Sequence, residues 1–519
     1  MATTPYFVFS PNTVLSVLGL VRGPDKTVPT PTEDWRTARV DLVIPALNEA
    51  PHIALCLASV LRQTLRPRRI MLVDDGSTDA TVEVAEAFCR FHNVDLTIIK
   101  RRAPIGKTPT VKRQARELDS DVEFILDADT VLESDNYIAR TVEELYNAGG
   151  IASACGTILP LRKRDRRAWL EQEKLRTFAR SFPRLPLAKD HRWRDFLTGI
   201  TNLYREVLYL YLQRFIYKGQ GVFFGTITNP VGCAVAYRRK YVEDLFGHFG
   251  PRLGDDLTNS EDIFIGLAML DKGYRNTQLT DVYARTVEPP IHRLPRQVYL
   301  WSSSFLQSCY YFDPLLKSPL KVIRRFINRQ MVPADFQSPA PAPVVAAAGA
   351  SGQSGMFSTA LPGFWPSGGA SYPTRQHTGT GGEQSERRDA AASARPEDVE
   401  RRRVAEPYRQ GFGRERTAEH GRPAGWMLMM SAVEKVFFPT TLLIMIILRN
   451  WEGLIVTLAA ETAVGIAALM VVMKGQRLAY LAKGLLIAPI RYALLMSELF
   501  TIGRFAVDLW ISKDRNWRK

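Results

Sequence analysis

Asp127 and Asp129 stand one residue apart at the end of a short apolar run, Phe124-Ile125-Leu126. On a strand, residues i and i+2 point to the same side. Both carboxylates can therefore face one ligand just past the strand's carboxyl end, where open α/β sheets bind ligands. Two hard oxygen ligands at such an edge suit Mg²⁺ or Mn²⁺, and the ion would in turn hold a diphosphate. Taken alone, Asp-x-Asp at a strand end is more often a solvated turn. The surrounding elements have to decide between the two.

Those elements alternate. Val40-Asp41-Leu42-Val43-Ile44 reads as a buried strand stopped by Pro45, followed by the polar turn Ala46-Leu47-Asn48-Glu49-Ala50 and a helix from Ile53 to Thr64. A second strand, Arg69 to Val73, ends in Asp74-Asp75-Gly76-Ser77-Thr78-Asp79. Gly76 suits the turn, and Ser77 or Thr78 can cap the helix Ala80 to Phe91. Leu96 to Ile99 is a third strand, and the run before Asp127 is a fourth. This alternation implies a mostly parallel sheet with flanking helices, right-handed crossovers and a site at the strands' carboxyl ends. Acidic residues close two of these strands.

Three further stretches bear on chemistry. Arg101 to Thr108 contains a Gly-Lys pair but lacks the upstream glycine of a P-loop, so Lys107 is either a contact to a phosphate or an exposed loop lysine. Pro230 to Arg239 is a strand of small residues, including Gly232 and Cys233, that would let a ligand approach the backbone. In Ser260-Glu261-Asp262, Asp262 opens a helix that runs to Lys272 and is closed by Gly273. A carboxylate there can deprotonate a hydroxyl within hydrogen-bond reach, or simply cap the helix. No Ser/His/Asp or Cys/His arrangement competes as a nucleophile.

The chain has 519 residues and a formal net charge of +15, a balance that fits nucleic acid, an anionic membrane face or a phosphorylated substrate. Arg162 to Arg194 is basic with Trp169 and Trp193 interleaved; a solvated helix face explains most of it, and no nucleic-acid partner is expected. Five scattered cysteines read as reduced core thiols. Residues 1–39 include an apolar stretch from Tyr6 to Val21 without a preceding basic residue, read as a packing or membrane-surface segment. An aromatic stretch lies near 296–312. Residues 333–425, rich in Ala, Pro, Gly and Ser and then in mixed charges, are expected to form a disordered linker or insert. Residues 426–519 are expected to form a membrane region: a hairpin at about 430–473 with both ends cytosolic, by the flanking basic residues, and an interfacial amphipathic helix at about 485–511.

Together and in this order, these motifs resemble the family 2 glycosyltransferases of the GT-A fold, and within them the membrane-attached branch of cellulose, chitin and hyaluronan synthases. The resemblance covers roughly Val40 to Phe312 and the C-terminal membrane region. It implies a Rossmann-like GT-A domain over 40–332. Pro45, Asn48, Glu49, Asp74, Asp75, Lys107, Asp127, Ala128 and Asp129 would bind the nucleotide sugar, with Asp127 and Asp129 on Mg²⁺ or Mn²⁺. Asp262 would be the catalytic base, beside Glu261, and Gly232, Cys233, Gln297 and Trp301 would line the acceptor site. It further implies an inverting enzyme in a cell or inner membrane, with its catalytic domain cytosolic, that uses UDP-sugars more often than GDP-sugars. The acceptor would be a growing polysaccharide or oligosaccharide, with membrane lipids and export subunits as partners. One departure stands out. Where processive synthases carry Gln-x-x-Arg-Trp, this chain has Gln297-Val298-Tyr299-Leu300-Trp301. That leaves open a transferase adding one sugar to a polyprenyl phosphate or similar lipid carrier, and, from another class, a catalytically silent membrane scaffold or nucleic-acid-binding protein.

Overall fold

Four apolar runs between Val40 and Leu126 fold as parallel strands: β1 (Val40–Ala46), β2 (Arg69–Asp74), β3 (Thr97–Lys100) and β4 (Val122–Leu126). The computed structural model describes residues 11–22, 34–147, 150–183, 192–243, 245–246, 260–320, 423–473 and 475–512. Helices Ile53–Val60 and Thr81–Phe91 make the first two crossovers. Every residue of β4 is buried, as a strand covered on both faces requires. Leu42, Ile44 and Phe124 pack on one face against the helix Ile53–Val60; Val43, Val73 and Ile125 pack on the other with Phe264 and Leu267 of the helix Glu261–Lys272. The two-residue alternation of each strand divides these cores.

The sheet continues through β5 (Thr130–Leu132), β6 (Ile151–Pro160), β7 (Ala234–Arg238) and β8 (Arg275–Thr286), in the order β3-β2-β1-β4-β7-β6-β8-β5. It is mixed rather than mostly parallel beyond β4. β7 runs antiparallel to both β4 and β6, and β5 antiparallel to β8, while β6 and β8 pair in parallel. The antiparallel entry of β7 carries the Gly232-Cys233 turn to the carboxyl end of β4, which a parallel strand would not do.

Glu123 faces Asp41 across β1 and β4 and is fully buried. Arg68 and Arg69 clamp Asp41, with guanidinium nitrogens at 2.8 and 2.9 Å, but neither carboxyl oxygen of Glu123 has a hydrogen-bond partner. Burial pushes the Glu123 pKa well above the usual carboxylate range. The protonated form therefore fits the fold, and the cost of ionising it grows as pH rises above the unfolded value. Glu123→Leu should raise stability at pH 7 by about 1–3 kcal/mol, with a smaller gain at pH 4; melting of the detergent-solubilised protein at the two pH values checks this.

Three C-terminal helices are long and apolar enough to cross a membrane by length and composition: Gly425–Ile447, Trp451–Val472 and Arg477–Ala506, with mean hydropathy 1.6, 2.2 and 1.6. The hairpin was expected. The third helix begins before residue 485, where an interfacial helix was expected, and meets the same criterion of length and composition. Two of the charges that interrupt it are met by neighbouring helices: Arg491 pairs with Glu461, and Glu498 lies 3.1 Å from Lys435. Such pairing is how ionisable groups are accommodated between apolar helices. The aromatic segment is the helix Leu294–Tyr311, whose Ser302 donates to Glu498. Near the N-terminus, the helix Pro11–Arg22 packs Gly19 onto Gly219 and leaves Val14, Val17, Leu18 and Val21 exposed on one face. The expected linker lies outside the described residues up to 422, where the helix Pro423–Ile447 begins.

Candidate active site

The turn after β4 is clamped from two sides. The Asp127 N–H donates to the Cys233 carbonyl (2.9 Å), and the Val287 N–H donates to the Asp129 carbonyl (3.3 Å). The loop entering β7 and the residue leaving β8 thus hold the two aspartates in place. Both line a cleft of ≈280 Å³, together with Pro45, Glu49, Asp75 and Lys107. Ala128 contributes to the same wall.

Lys107 is not a loop lysine. It is the first residue of the helix Lys107–Glu117, entered through Gly106 at φ 94°, a backbone conformation for which glycine carries no steric cost. Its Nζ sits 2.6 Å from Asp127 Oδ1 and 2.6 Å from Glu261 Oε1, and it donates to the Gly232 carbonyl at 3.0 Å. Burial alone would lower its pKa, but Asp127 and Glu261 hold it well above the usual lysine value. One ammonium therefore joins the end of β4, the turn before β7 and the start of the helix Glu261–Lys272.

Burial raises the Asp127 pKa and Lys107 restrains the rise. Among the described residues Asp129 has no such cation, and its Oδ1 accepts the Thr130 and Thr286 hydroxyls, at 3.3 and 3.4 Å. Burial first, then Asp127 and Glu49, push its pKa well above the carboxylate range. A half-empty pair of hard oxygen donors opening on a cleft fits a divalent ion whose other ligands come from phosphate and water. Among the described residues, no group of three or more His, Cys, Asp or Glu side chains is placed to hold a metal ion alone.

Asp262 follows Glu261 in the first turn of the helix Glu261–Lys272. Its Oδ2 accepts the Gly232 N–H at 3.2 Å, and its Oδ1 accepts the Ile263 N–H at 2.8 Å and the Ser260 hydroxyl. Burial and then Glu261 push its pKa up to about 6, against Ser260 and Lys107. Gly232 is needed here for space. A Cβ at that position would meet Asp262 Cβ at 2.8 Å and Oδ2 at 3.1 Å. Gly232→Ala should cost about 1–3 kcal/mol in stability and, by displacing the Asp262 carboxyl, slow any chemistry there by roughly 10²-fold; melting and steady-state rates read the two effects separately.

The other expected residues divide into groups. Asn48, at φ 59°, uses its side chain to hold the Thr78 N–H (2.8 Å), and Asp74 accepts the Ser77 N–H (3.2 Å), so both shape the turn beside the cleft rather than line it. Asp75 does line it, while accepting the Ile105 and Gly106 N–H groups (3.0 and 2.8 Å) and Arg101 (2.9 Å). Cys233 supplies backbone to the Asp127 turn, and its thiol is raised well above its usual value by burial. Gln297 and Trp301 do not line the cleft; they meet Arg205 instead. Thr286, Arg205 and Glu288 escaped the sequence reading. They reach this region through β8 and the helix Arg192–Tyr211, and no local spacing signals either approach.

Residues 41–246 match the family model described as glycosyl transferase family 2. An N-acetylglucosaminyltransferase of Rhizobium sp. is 23% identical over 272 residues, covering 51% of this chain and 52% of the relative. The glycosyltransferase GlyG of Streptococcus pneumoniae is 39% identical over 111 residues, 21% of this chain and 34% of the relative. The chain thus spans about half the length of the first of these curated relatives and about a third of the second. Among solved structures, a mannosyltransferase of Pyrobaculum calidifontis in complex with GDP-Man and Mn²⁺ superposes with a TM-score of 0.42 at 15% identity, covering 98% of each chain. The matched segment runs from β1 past β7 and contains the cleft, Lys107 and the paired aspartates: it is a family 2 glycosyl transferase domain.

Proposed function

We propose that the protein is a membrane-bound inverting glycosyltransferase that moves a sugar from a nucleotide sugar, a UDP-sugar by preference, to the hydroxyl of a growing polysaccharide or oligosaccharide. The observation that carries this reading is the convergence at Lys107. Its ammonium bridges a carboxylate pair suited to a metal diphosphate and the segment that holds Asp262, a raised carboxyl seated on a glycine N–H. Donor and base functions thereby meet within one side chain's reach.

Asp127 and Asp129 hold Mg²⁺ or Mn²⁺ in this proposal, and the ion, when bound, offsets the charge of the nucleoside diphosphate. Pro45, Glu49, Asp75 and Ala128 shape the donor cleft. Lys107 adds a cation beside the leaving group. Asp262 accepts the proton of the acceptor hydroxyl as that oxygen bonds to the anomeric carbon. The bond from that carbon to the diphosphate oxygen breaks, its electron pair leaves with the diphosphate, and the configuration inverts. Glu261 keeps Lys107 in place, and the Gly232-Cys233 turn borders the acceptor. The catalytic domain, residues 40–332, sits on the cytosolic side of the membrane region.

A second reading, one sugar added to a lipid carrier, is favoured by the helix Leu294–Tyr311, which carries Gln297 and Trp301 and touches the third candidate span through Ser302 and Glu498. An acceptor held there would lie close to lipid. The test uses membranes containing the protein and radiolabelled UDP- and GDP-sugars. Label retained as non-diffusible saccharide with inverted linkage supports the first reading, label extracted into organic solvent the second. No transfer from any donor contradicts both.

A further inference from the structure

The helix Pro11–Arg22 is inside out for a helix in water. Thr13, Ser16 and Gly19 are its buried residues, polar or without a side chain, while Val14, Val17, Leu18 and Val21 are exposed, Val21 by 81%. A surface helix of a soluble domain does the reverse: its apolar face meets the core and its polar face meets water. The four exposed residues follow the spacing i, i+3, i+4, i+7, which places them on one face. The helix, PNTVLSVLGLVR, contains no Asp, Glu or Lys that could solvate that face.

The inward face is joined to the catalytic domain by backbone approach and hydroxyl groups. The Thr13 and Tyr211 hydroxyls lie 3.2 Å apart, and the Ser16 hydroxyl donates to the Ile216 carbonyl at 3.5 Å. A Cβ on Gly19 would meet the Gly219 carbonyl oxygen at 2.4 Å, and a Cβ on Gly219 would meet Ser16 Cα at 2.4 Å. Small residues in backbone contact, with hydroxyls bonded across the contact, are how helices associate in lipid, where large apolar side chains can face acyl chains. The neighbourhood agrees. The helix Pro11–Arg22 also packs against the helix Pro423–Ile447, which contains the first candidate span and leaves Val433 and Phe437 exposed. Two adjoining helices thus turn apolar side chains outward.

We propose that the helix Pro11–Arg22 is embedded in the bilayer beside the first candidate span, with Val14, Val17, Leu18 and Val21 against acyl chains. The sequence left this stretch between packing and a membrane surface; the polarity of its two faces decides for lipid. Its 12 residues cover about 18 Å, short of the ~30 Å hydrocarbon core, so this helix enters the bilayer without crossing it. Through Tyr211, Ile216 and Gly219 it gives the catalytic domain an attachment to the membrane apart from the C-terminal helices. The inference rests on the membrane reading above and not on the transferase chemistry.

The test places one nitroxide at a time on the full-length protein in phosphatidylcholine–phosphatidylglycerol vesicles, through Val14→Cys, Val17→Cys or Leu18→Cys. Collisions with oxygen, which partitions into hydrocarbon, are compared with collisions with a water-soluble nickel chelate. Ile455→Cys, an exposed position of the candidate span Trp451–Val472, is the lipid reference; Glu83→Cys, exposed on the helix Thr81–Phe91, is the aqueous one. The native cysteines are buried except Cys233, which is half-buried, and the unaltered protein carried through the labelling gives their background. The oxygen-to-nickel ratio at the three helix positions should lie within about twofold of the lipid reference and roughly tenfold or more above the aqueous one. Ratios that match Glu83→Cys overturn the inference. So do low collision rates with both reagents, which mean that a second copy or another segment of this chain covers the face. Each position is read separately, so a label that unfolds one variant leaves two to decide. An Ile455→Cys label that reads as aqueous overturns the membrane reading and the inference together, whereas a lipid-like Ile455→Cys with aqueous helix positions overturns the inference alone. No arm of the test requires activity, so the transferase reading stands or falls separately.

Discussion

Asp262→Asn should lower the rate of sugar transfer by roughly 10²–10⁴-fold, the range that a positioned general base contributes, with little change in donor affinity. The carboxyl is held by the Gly232 and Ile263 N–H groups and by Ser260, and asparagine can keep part of that geometry while losing the ability to take a proton. The pH profile offers an independent check. Burial and Glu261 push Asp262 up to about 6. The base acts only when ionised, so kcat/KM should rise with pH toward a plateau above about 6 and fall tenfold per unit below it. The stability sign is opposite. A folded pKa above the unfolded value means that the protonated form suits the fold, and this contribution fades as pH rises from the unfolded value through about 6. Asp262→Asn should therefore melt no lower than the parent at pH 7.5, and lost rate cannot then be assigned to unfolding.

Lys107→Met should have the second largest effect, a loss of roughly 10²–10³-fold, by analogy with removing one preorganised charge-stabilising donor. The substitution leaves Asp127 and Glu261 facing each other without the ammonium that lies 2.6 Å from each. It also removes a charge that lowers the Asp262 pKa. The acid limb of the pH–rate profile should consequently move to higher pH, a shift that loss of phosphate binding alone would not produce. Lys107→Arg keeps the charge but not the compact geometry, and should recover only part of the rate. Steady-state rates from pH 5 to 9 for the three proteins settle the matter.

Much of the cleft was legible because it is local. β1, β2 and β4 announce themselves as apolar runs ended by proline or aspartate, and Gly273 closes the helix Glu261–Lys272 at φ 86°. Lys107 was harder to read. Its helix, KTPTVKRQARE, has only Val111 and Ala115 as buried apolar residues, too few to show a helical period. β8 was missed for a related reason: RNTQLTDVYART is polar, and its place is fixed by pairing with β6 and β5, far away in sequence. The same distance hides Arg205, whose partners lie 83 to 96 positions along the chain. The third candidate span was obscured by Arg491 and Glu498, whose partners Glu461 and Lys435 belong to other helices.

The most direct test is nucleoside diphosphate release by the full-length protein purified in detergent, across UDP- and GDP-sugars, with and without Mg²⁺ or Mn²⁺, for the parent and Asp262→Asn. The expected result is release from at least one donor that requires the divalent ion, is abolished by EDTA and falls by roughly 10²-fold or more in the variant. Metal-independent release, or release equal in parent and variant, would contradict the assignment of the Asp127–Asp129 pair and of Asp262.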